Sequence, residues 1–237
     1  MRIGGTQRLN RLRSNFALLA VVLFIVACVP QTRWDYTSNE SHIVRSGETL
    51  FTIAFRYGHD HRELARWNNL GDGSLIYPGQ VIRLTPPQGA ASTRAPARPA
   101  PTARRTTPPP PSDPSPNWAW PTNGRVNAEF DGKPGSGTGL VIAGRAGQPV
   151  RAAAAGRVVY SGGGLIGYGQ LIILKHNDTY LSAYGHNASL LVKEGDKINK
   201  GQRIATMGEG PGQKPRLHFE IRRNGKPVNP RQFLPAR

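Results

Sequence analysis

The sequence has little cysteine, little negative charge and no long apolar run, and each shortage excludes a class of protein. Cys28 is the one cysteine among 237 residues, so neither an intramolecular disulfide nor a thiolate metal cluster can form. The longest apolar run has twelve residues, whereas a transmembrane helix needs about twenty. Hydrophobic residues make up 38% of the chain, which is low for one compact domain of this length. We therefore expect two domains and a linker.

The shortage of acidic residues leaves a strongly basic chain. Asp and Glu number 14 against 31 Lys and Arg, for a formal net charge of +17. Phosphate binding requires clustered Lys and Arg, so nucleic acid is one candidate partner. The arginines are scattered, however, with no recognition helix or aromatic stacking platform among them. An anionic cell-wall polymer, an anionic membrane or an acidic protein explains the charge equally well, and we disfavour nucleic acid.

The N-terminal segment, residues 1–27, has the pattern of a secretory signal. Four arginines and no acid precede the apolar run Phe16–Ala27, whose length suits the apolar region of a signal peptide. The sequence Ile25-Val26-Ala27-Cys28 resembles the bacterial lipobox, which implies lipidation of Cys28 after cleavage. By the same resemblance, Val29 favours sorting to the outer membrane.

Residues 42–85 have the pattern of a small α+β module, which follows a polar tether at residues 28–41. Apolar residues recur at helical spacing from Leu50 to Tyr57. Asp60 begins a second predicted helix, and Val81–Leu84 reads as a closing strand. The predicted order is strand, helix, helix, strand.

This N-terminal module resembles the LysM family along its whole length. The resemblance rests on Ser46-Gly47-Glu48-Thr49-Leu50, Tyr57-Gly58, Trp67-Asn68 and Ile76-Tyr77-Pro78-Gly79-Gln80-Val81-Ile82. It implies binding of peptidoglycan, a polymer that contains N-acetylglucosamine, in a groove between two loops. The predicted peptidoglycan-binding residues are Gly47, Glu48, Thr49, Leu50, Ile76, Tyr77 and Pro78. Leu50 is also expected in the core, and His59 and His61 are expected to be solvated rather than to bind a metal.

Residues 86–116 form a predicted spacer. Eleven of the 21 prolines of the chain lie here, among Ala, Thr and Arg. Such a composition cannot bury a core, so we expect a disordered, semi-rigid linker. At roughly 3.1 Å per residue in polyproline geometry, it reaches on the order of 90 Å.

Residues 117–237 consist of short strand patterns with Gly at almost every turn. The strand patterns lie at Gly156–Tyr160, Gln170–Leu174, 142–150, 179–184, 202–207 and 217–222. No long helix is predicted. About 120 residues of this kind imply a mainly β, antiparallel domain with a groove.

This C-terminal domain resembles the LytM, or M23, zinc metallopeptidases over essentially its whole length. The resemblance rests on Trp120-Pro121, Gly147-Gln148-Pro149-Val150, Tyr184-Gly185-His186 and Leu217-His218-Phe219-Glu220, among other segments. Active members carry His-x-x-x-Asp, a later His after Tyr-x, and a final His-x-His. The first His, the Asp and the last His hold zinc, and the other two histidines assist the water.

The zinc-binding pattern of that family is incomplete in this chain. The positions of the first His and the Asp fall on Gly137 and Val141, which carry no donor atom. The two assisting positions fall on His186 and Arg216, and an arginine is permanently cationic and offers no lone pair. His218 is the one ligand left, whereas a hydrolytic zinc ion needs three. The resemblance thus implies no catalytic residue, no metal and no cofactor.

Two other functions compete with this interpretation. A zinc endopeptidase would need substitute ligands, of which Asp131, His176 and Asp178 are the nearest, although Asn177-Asp178 reads as a hairpin turn. A passive tether would only pin the outer membrane to peptidoglycan.

The order lipobox, LysM, Pro-rich spacer and degenerate LytM resembles the NlpD family of murein hydrolase activators. It implies a non-catalytic, lipid-anchored activator, facing the periplasm and enriched at the division septum. The implied partners are peptidoglycan and a periplasmic zinc N-acetylmuramoyl-L-alanine amidase, which cleaves septal murein as daughter cells separate. The candidate partner-binding residues of the groove are Gly137, Val141, His186, Arg216 and His218. Arg216 would either meet a carboxylate of the partner or form a local ion pair.

Overall fold

The structure, a computed structural model, describes residues 40–71, 75–87 and 113–236. All of these residues belong to one compact unit, Asn39–Arg237. The predicted signal, the lipidation site Cys28 and most of the predicted linker lie outside the described residues. No helix among the described residues is long and apolar enough to cross a membrane.

The N-terminal module has the predicted order strand, helix, helix, strand. Strand β1 (Ser41–Ile43) pairs antiparallel with β2 (Val81–Arg83), and helices α1 (Leu50–Tyr57) and α2 (His61–Trp67) lie between them in sequence. The small core of the module consists of Val44, Leu50, Ile53, Ala54, Leu64, Ala65, Ile82 and Leu84. Full burial of one large aliphatic side chain contributes about 1.5–3 kcal/mol, so these few contacts hold the module together.

Helix α1 has well-defined ends. The Thr49 hydroxyl accepts a hydrogen bond from Thr52 N at 3.1 Å, and the Thr52 hydroxyl accepts one from Thr49 N at 3.0 Å. This reciprocal pair satisfies two amide groups that the helix itself leaves unpaired. The helix ends at Gly58, which adopts a left-handed conformation with φ 71°.

The C-terminal domain is an antiparallel β structure, as the sequence predicts. Its strands are β3 (Val126–Ala128), β4 (Leu140–Ala143), β5 (Pro149–Arg151), β6 (Gly156–Gly162), β7 (Gln170–Lys175), β8 (Tyr180–Leu190), β9 (Lys197–Ile198), β10 (Arg203–Met207), β11 (Arg216–Arg223) and β12 (Lys226–Val228). The main path through the sheet is β3-β4-β11-β8-β7-β6-β9, while β10 pairs with β5 and β8, and β12 pairs with β11. Helical segments in residues 113–236 are single 3₁₀ turns.

The single strand predicted over 142–150 is two strands, β4 and β5. The chain turns between them at Gly147, whose φ of 76° is left-handed, a conformation that glycine adopts without steric cost. The amide of Gly147 donates to Met207 O at 2.8 Å.

Strand β11 separates two faces of the sheet. Leu217, Phe219 and Ile221 are fully buried in the core of the domain. Because side chains alternate along a strand, His218, Glu220 and Arg222 point to the opposite side. We call the sheet surface that carries these three side chains the groove face.

Residues 113–116 pack against the C-terminal domain rather than continuing an extended spacer. Asp113 N donates to Thr179 Oγ1 at 3.1 Å, and Asp178 N donates to the Asp113 carboxylate at 2.8 Å. The Asn177 amide donates to Pro114 O at 3.0 Å. This end of the predicted linker is therefore fixed to the β7–β8 turn.

Candidate functional site

The predicted groove residues come together where β4, β8 and β11 lie side by side. His218 on β11 is the register partner of Val141 on β4. The rings of His218 and His186 are 6.2 Å apart between centroids. Gly137 lies in the 3₁₀ turn that precedes β4, and Arg216 begins β11.

A buried charge network extends along the groove face from His218. Glu220 is fully buried, and its Oε1 atom accepts hydrogen bonds from the Thr138 hydroxyl at 2.5 Å and the Tyr168 hydroxyl at 2.9 Å. His218 Nε2 lies 2.8 Å from the same oxygen. Arg222 Nε donates to the other oxygen at 2.7 Å, and Arg222 Nη2 donates to the Tyr168 hydroxyl at 3.0 Å. The carboxylate is thus fully paired, as a buried charge must be.

The protonation states of the groove follow from burial and from neighbouring charges. Burial tends to raise the pKa of Glu220, but Arg222 and His218 more than offset this effect and hold the pKa at about 2. For His186, burial is the main cause that lowers the pKa, and the nearby charges of His218 and Arg216 add to it, giving about 4. At neutral pH the groove therefore contains an ionised Glu220 and a neutral His186.

The donor atoms around His218 do not make a metal site. Val141, opposite His218, is apolar and 5% exposed. A Cβ atom on Gly137 would lie 1.8 Å from Asp131 Oδ1, so the Asp131 carboxylate fills the space in which a side chain at 137 would begin. Among the described residues, no group of three or more His, Cys, Asp or Glu side chains is arranged to hold a metal ion.

The other two substitute ligands are engaged at the β7–β8 hairpin. His176 Nδ1 lies 2.7 Å from Ala155 O, and its Nε2 lies 2.8 Å from the Ser182 hydroxyl. Asp178 Oδ1 pairs with Lys175 Nζ at 2.7 Å. Both side chains stabilise the hairpin, and the predicted turn at residues 177–178 is confirmed.

Arg216 holds the loop that leads into β11. Its Nη2 atom donates to Pro211 O at 2.8 Å, and its Nε atom donates to Lys214 O at 3.3 Å. A Cβ atom on Gly210 would lie 2.6 Å from Arg216 Cδ, so the glycine leaves room for the arginine stem. The side chain binds two carbonyl oxygens here, where the sequence suggested a local ion pair as one alternative.

In the N-terminal module, Glu48 is a structural residue. Its carboxylate accepts hydrogen bonds from Arg56 Nη1 at 2.6 Å and from Arg45 N at 2.9 Å, and lies 2.6 Å from His42 Nε2. The side chain is 10% exposed. These contacts join β1, its following loop and α1, and they leave the carboxylate little freedom to bind a glycan.

Replacing Glu48 by alanine is expected to destabilise the N-terminal module by about 1–3 kcal/mol, because hydrogen bonds from charged groups are lost. Denaturant unfolding of the full chain measures the change. Glu63→Ala is the matched control, since Glu63 is 51% exposed and pairs with Arg66 at 3.6 Å, a contact worth little. Loss of peptidoglycan binding at unchanged stability would show instead that Glu48 contacts the glycan.

The other predicted glycan contacts divide into two groups. Thr49 caps α1, Leu50 is 3% exposed in the core, and Ile76 packs partly buried against it. Tyr77 is 60% exposed, and Gly47 and Pro78 are exposed as well. This second group lies open to solvent, and so does Thr49, although its hydroxyl accepts the capping bond from Thr52 N.

Helix α1 contacts the groove face, which the sequence did not lead us to expect. Phe55 is 2% exposed, and the residues buried with it are Leu165, Leu171, Ile173 and Ala183 of the C-terminal domain. The Arg222 guanidinium lies 3.4 Å from the centroid of the Phe55 ring and donates to Phe55 O. A signal was present, since Phe51 and Phe55 are four residues apart and lie off the predicted core stripe of α1.

The expectation that His59 and His61 are solvated is wrong. Both are half-buried, His59 against Trp67 at 5.2 Å and His61 against Phe51 at 5.6 Å between ring centroids. Burial lowers the pKa of both imidazoles. They help to form the surface of the module that faces the C-terminal domain, because a Cβ atom on Gly225 would lie 2.3 Å from His59 O.

Comparison with known proteins gives matches to both modules. The LysM domain model matches residues 42–85, and the peptidase family M23 model matches residues 135–230. A Pseudomonas aeruginosa protein named lipoprotein NlpD/LppB homolog is 44% identical to this chain, in an alignment that covers 86% of this chain and 80% of the relative's length. The murein hydrolase activator NlpD of Escherichia coli is 38% identical, over 84% of this chain and 69% of its own. The outer membrane antigenic lipoprotein B of Histophilus somni is 38% identical, over 82% of this chain and 66% of its own.

Proposed function

Because the chain belongs to the NlpD/LppB lipoprotein family, we propose that it activates a murein hydrolase without hydrolysing murein itself. The murein hydrolase is a periplasmic zinc N-acetylmuramoyl-L-alanine amidase that cleaves septal peptidoglycan. One observation carries the proposal: the C-terminal domain retains an M23-type sheet, but an apolar Val141 lies opposite His218 where the family pattern has a ligand.

Zinc chemistry does not fit the residues of the groove. A hydrolytic zinc site needs three protein ligands and one open position. Gly137 and Val141 supply no donor atom, and Arg216 supplies a permanent cation in place of an assisting histidine. No step of the proposed function therefore runs through a metal ion held by this chain.

Activation by a protein without catalytic groups requires selective binding. A binder shifts an equilibrium between a blocked and an open amidase only if it binds the open state more tightly. The groove offers a binding surface of mixed character. Its accessible part consists of the neutral, half-buried His186 and the exposed loop that Arg216 holds, and Val141 and His218 lie buried beneath them. We assign the amidase contact to this surface.

The N-terminal module and the anchor would place the chain where the amidase acts. Peptidoglycan is assigned to the exposed surface at Gly47, Tyr77 and Pro78. Relatives bear the names lipoprotein and outer membrane antigenic lipoprotein, which supports an acyl anchor on Cys28 in the outer membrane. Attachment to the outer membrane and to peptidoglycan together would hold the C-terminal domain within reach of the septal peptidoglycan that the amidase cleaves.

Dye release from labelled peptidoglycan by a purified amidase from the same organism tests the proposal. The full chain is expected to stimulate release several-fold with the amidase and to release nothing alone. Metal analysis of the purified chain is expected to find far less than one zinc ion per molecule. Release by the chain alone, with stoichiometric zinc, would establish an endopeptidase. No stimulation by a chain that still binds peptidoglycan would favour a passive tether.

A further inference from the structure

Phe55 belongs by sequence to the N-terminal module, but the C-terminal domain buries it. The core of the module is formed by other residues of α1, namely Leu50, Ile53 and Ala54. Phe55 lies instead in a separate buried cluster whose other members come from the C-terminal domain. Without that domain, α1 would expose a complete phenylalanine side chain to water, at a cost of about 1.5–3 kcal/mol. Phe55 is therefore a docking residue.

The surface that receives α1 matches it chemically. Arg222 stacks on the Phe55 ring and donates to Phe55 O in the last turn of the helix. A cation over an aromatic face and a cation at a helix C-terminus are both favourable. Tyr168 meets the Phe55 ring edge-on, 5.7 Å between centroids. The contact thus combines apolar burial with two directed polar interactions.

The docked helix lies on the groove face itself. Glu220 on β11 pairs with Ala183 on β8, which in turn pairs with Ile173 on β7. Directly paired residues point to the same side of a sheet, so all three belong to the groove face. Phe55 is buried against Ala183 and Ile173. Helix α1 therefore covers the Arg222 end of the groove face, whereas the His218 end carries the proposed amidase surface.

The salt bridge at the rim of the α1 contact contributes too little free energy to keep the contact closed. Arg62 Nη2 pairs with Asp178 Oδ1 at 2.6 Å, but the two side chains are 51% and 58% exposed, and such pairs contribute about 0–1 kcal/mol. Phe55 is the one side chain of α1 that is almost fully buried in the cluster, with Phe51 packed partly buried beside it. Contacts between domains of one chain are commonly of this modest kind and permit relative motion.

We propose that α1 is an intramolecular lid, which occupies the Arg222 end of the groove face and must leave before the amidase can bind the whole face. This inference rests on the proposed function and adds its regulation. Opening exposes Leu171, Ile173 and Ala183 as an apolar surface next to the His218 end. If the closed form outnumbers the open form about ten to one, the apparent affinity for the amidase is reduced about tenfold.

The test measures opening and amidase binding separately, on the full chain and without peptidoglycan. Phe55→Ala removes the docking residue, and Ile43→Ala is the matched control, because Ile43 is a 62% exposed apolar residue of the same module. Arg62→Glu weakens the rim, and Arg62→Glu combined with Asp178→Arg restores a pair of opposite charges. Small-angle X-ray scattering reports separation of the modules, and calorimetric titration with the purified amidase gives Kd.

Phe55→Ala is expected to increase the radius of gyration and to tighten amidase binding about tenfold, with Ile43→Ala like wild type. Arg62→Glu is expected to tighten binding about threefold, and the charge-reversed pair to return it to the wild-type value. The lid is overturned if Phe55→Ala increases the radius of gyration but leaves Kd unchanged. It is also overturned if Phe55→Ala leaves the radius of gyration unchanged. If neither wild type nor any opened variant binds the amidase, the proposed function fails, and the lid as its regulator fails with it.

Discussion

Replacing Arg222 by methionine is expected to destabilise the C-terminal domain by about 3–5 kcal/mol, because it leaves Glu220 as a buried carboxylate without its cation. Glu220 is fully buried, and Arg222 is 2% exposed and donates to it at 2.7 Å. Water cannot reach the carboxylate to replace the lost guanidinium. His218 and the hydroxyls of Thr138 and Tyr168 remain as partners of the other oxygen. Chemical denaturation of the full chain at neutral pH measures the change.

Two further variants separate the charge effect from a general loss of packing. Arg223→Met changes the neighbouring arginine, which is exposed on the other side of β11, and is expected to shift stability by less than about 0.5 kcal/mol. The double variant Glu220→Gln with Arg222→Met removes both charges. It is expected to recover a large part of the loss, since deleting a whole buried pair costs less than deleting one partner. A double variant as unstable as the sum of its two single variants would contradict the explanation.

The groove network is also the part of the site that the sequence could not predict. Along β11, His218, Glu220 and Arg222 alternate with Leu217, Phe219 and Ile221, a pattern that indicates one buried face and one solvated face. The three polar side chains are instead buried. Their cover comes from residues far away in sequence, namely Thr138, Tyr168 and Phe55. Periodicity describes one strand at a time, so it cannot reveal what a distant segment places over that strand.

The fold itself was largely predictable because its signals are local. The spacing of apolar residues indicated α1, and Thr49 and Gly58 mark its ends through capping chemistry. The strands of the C-terminal domain follow runs of β-branched residues between glycines. The division of 142–150 into β4 and β5 was missed, although the apolar run ends at Ala143 and Gly144, Gly147 and Pro149 all indicate a break.

Local sequence patterns could not predict that the two modules contact each other. The Pro-rich composition of residues 86–116 indicated independent modules on a spacer, and composition cannot show that a helix before the spacer docks on a sheet after it. The contact pairs Phe55 with Arg222 across 167 residues of sequence. Phe51 and Phe55, which lie off the predicted core stripe of α1, were the available sign that this side of the module is covered.

Acidification from about pH 6.5 to pH 4 is expected to destabilise the C-terminal domain through His176. Burial lowers the pKa of this imidazole from 6.5 to about 4, although its hydrogen bond to Ala155 O acts in the opposite direction. The unfolded chain, with the higher pKa, therefore binds a proton first as pH falls. The contribution of the neutral imidazole to stability is complete above about pH 6.5, declines through the window between the two pKa values, and is lost below about pH 4. The loss amounts to at most about 3 kcal/mol, at 1.36 kcal/mol per pKa unit.

His176→Gln tests this assignment because glutamine does not titrate. It is expected to flatten the dependence of unfolding free energy on pH between 6.5 and 4, at the cost of a lower stability at pH 8, where the bonds to Ala155 O and Ser182 are changed. His186→Gln is the comparison. Burial also lowers the pKa of His186 to about 4, so by the same linkage its replacement should flatten the slope to a similar extent. If the slope in His176→Gln equals that of wild type, the acid sensitivity arises elsewhere, and the hairpin is not its source.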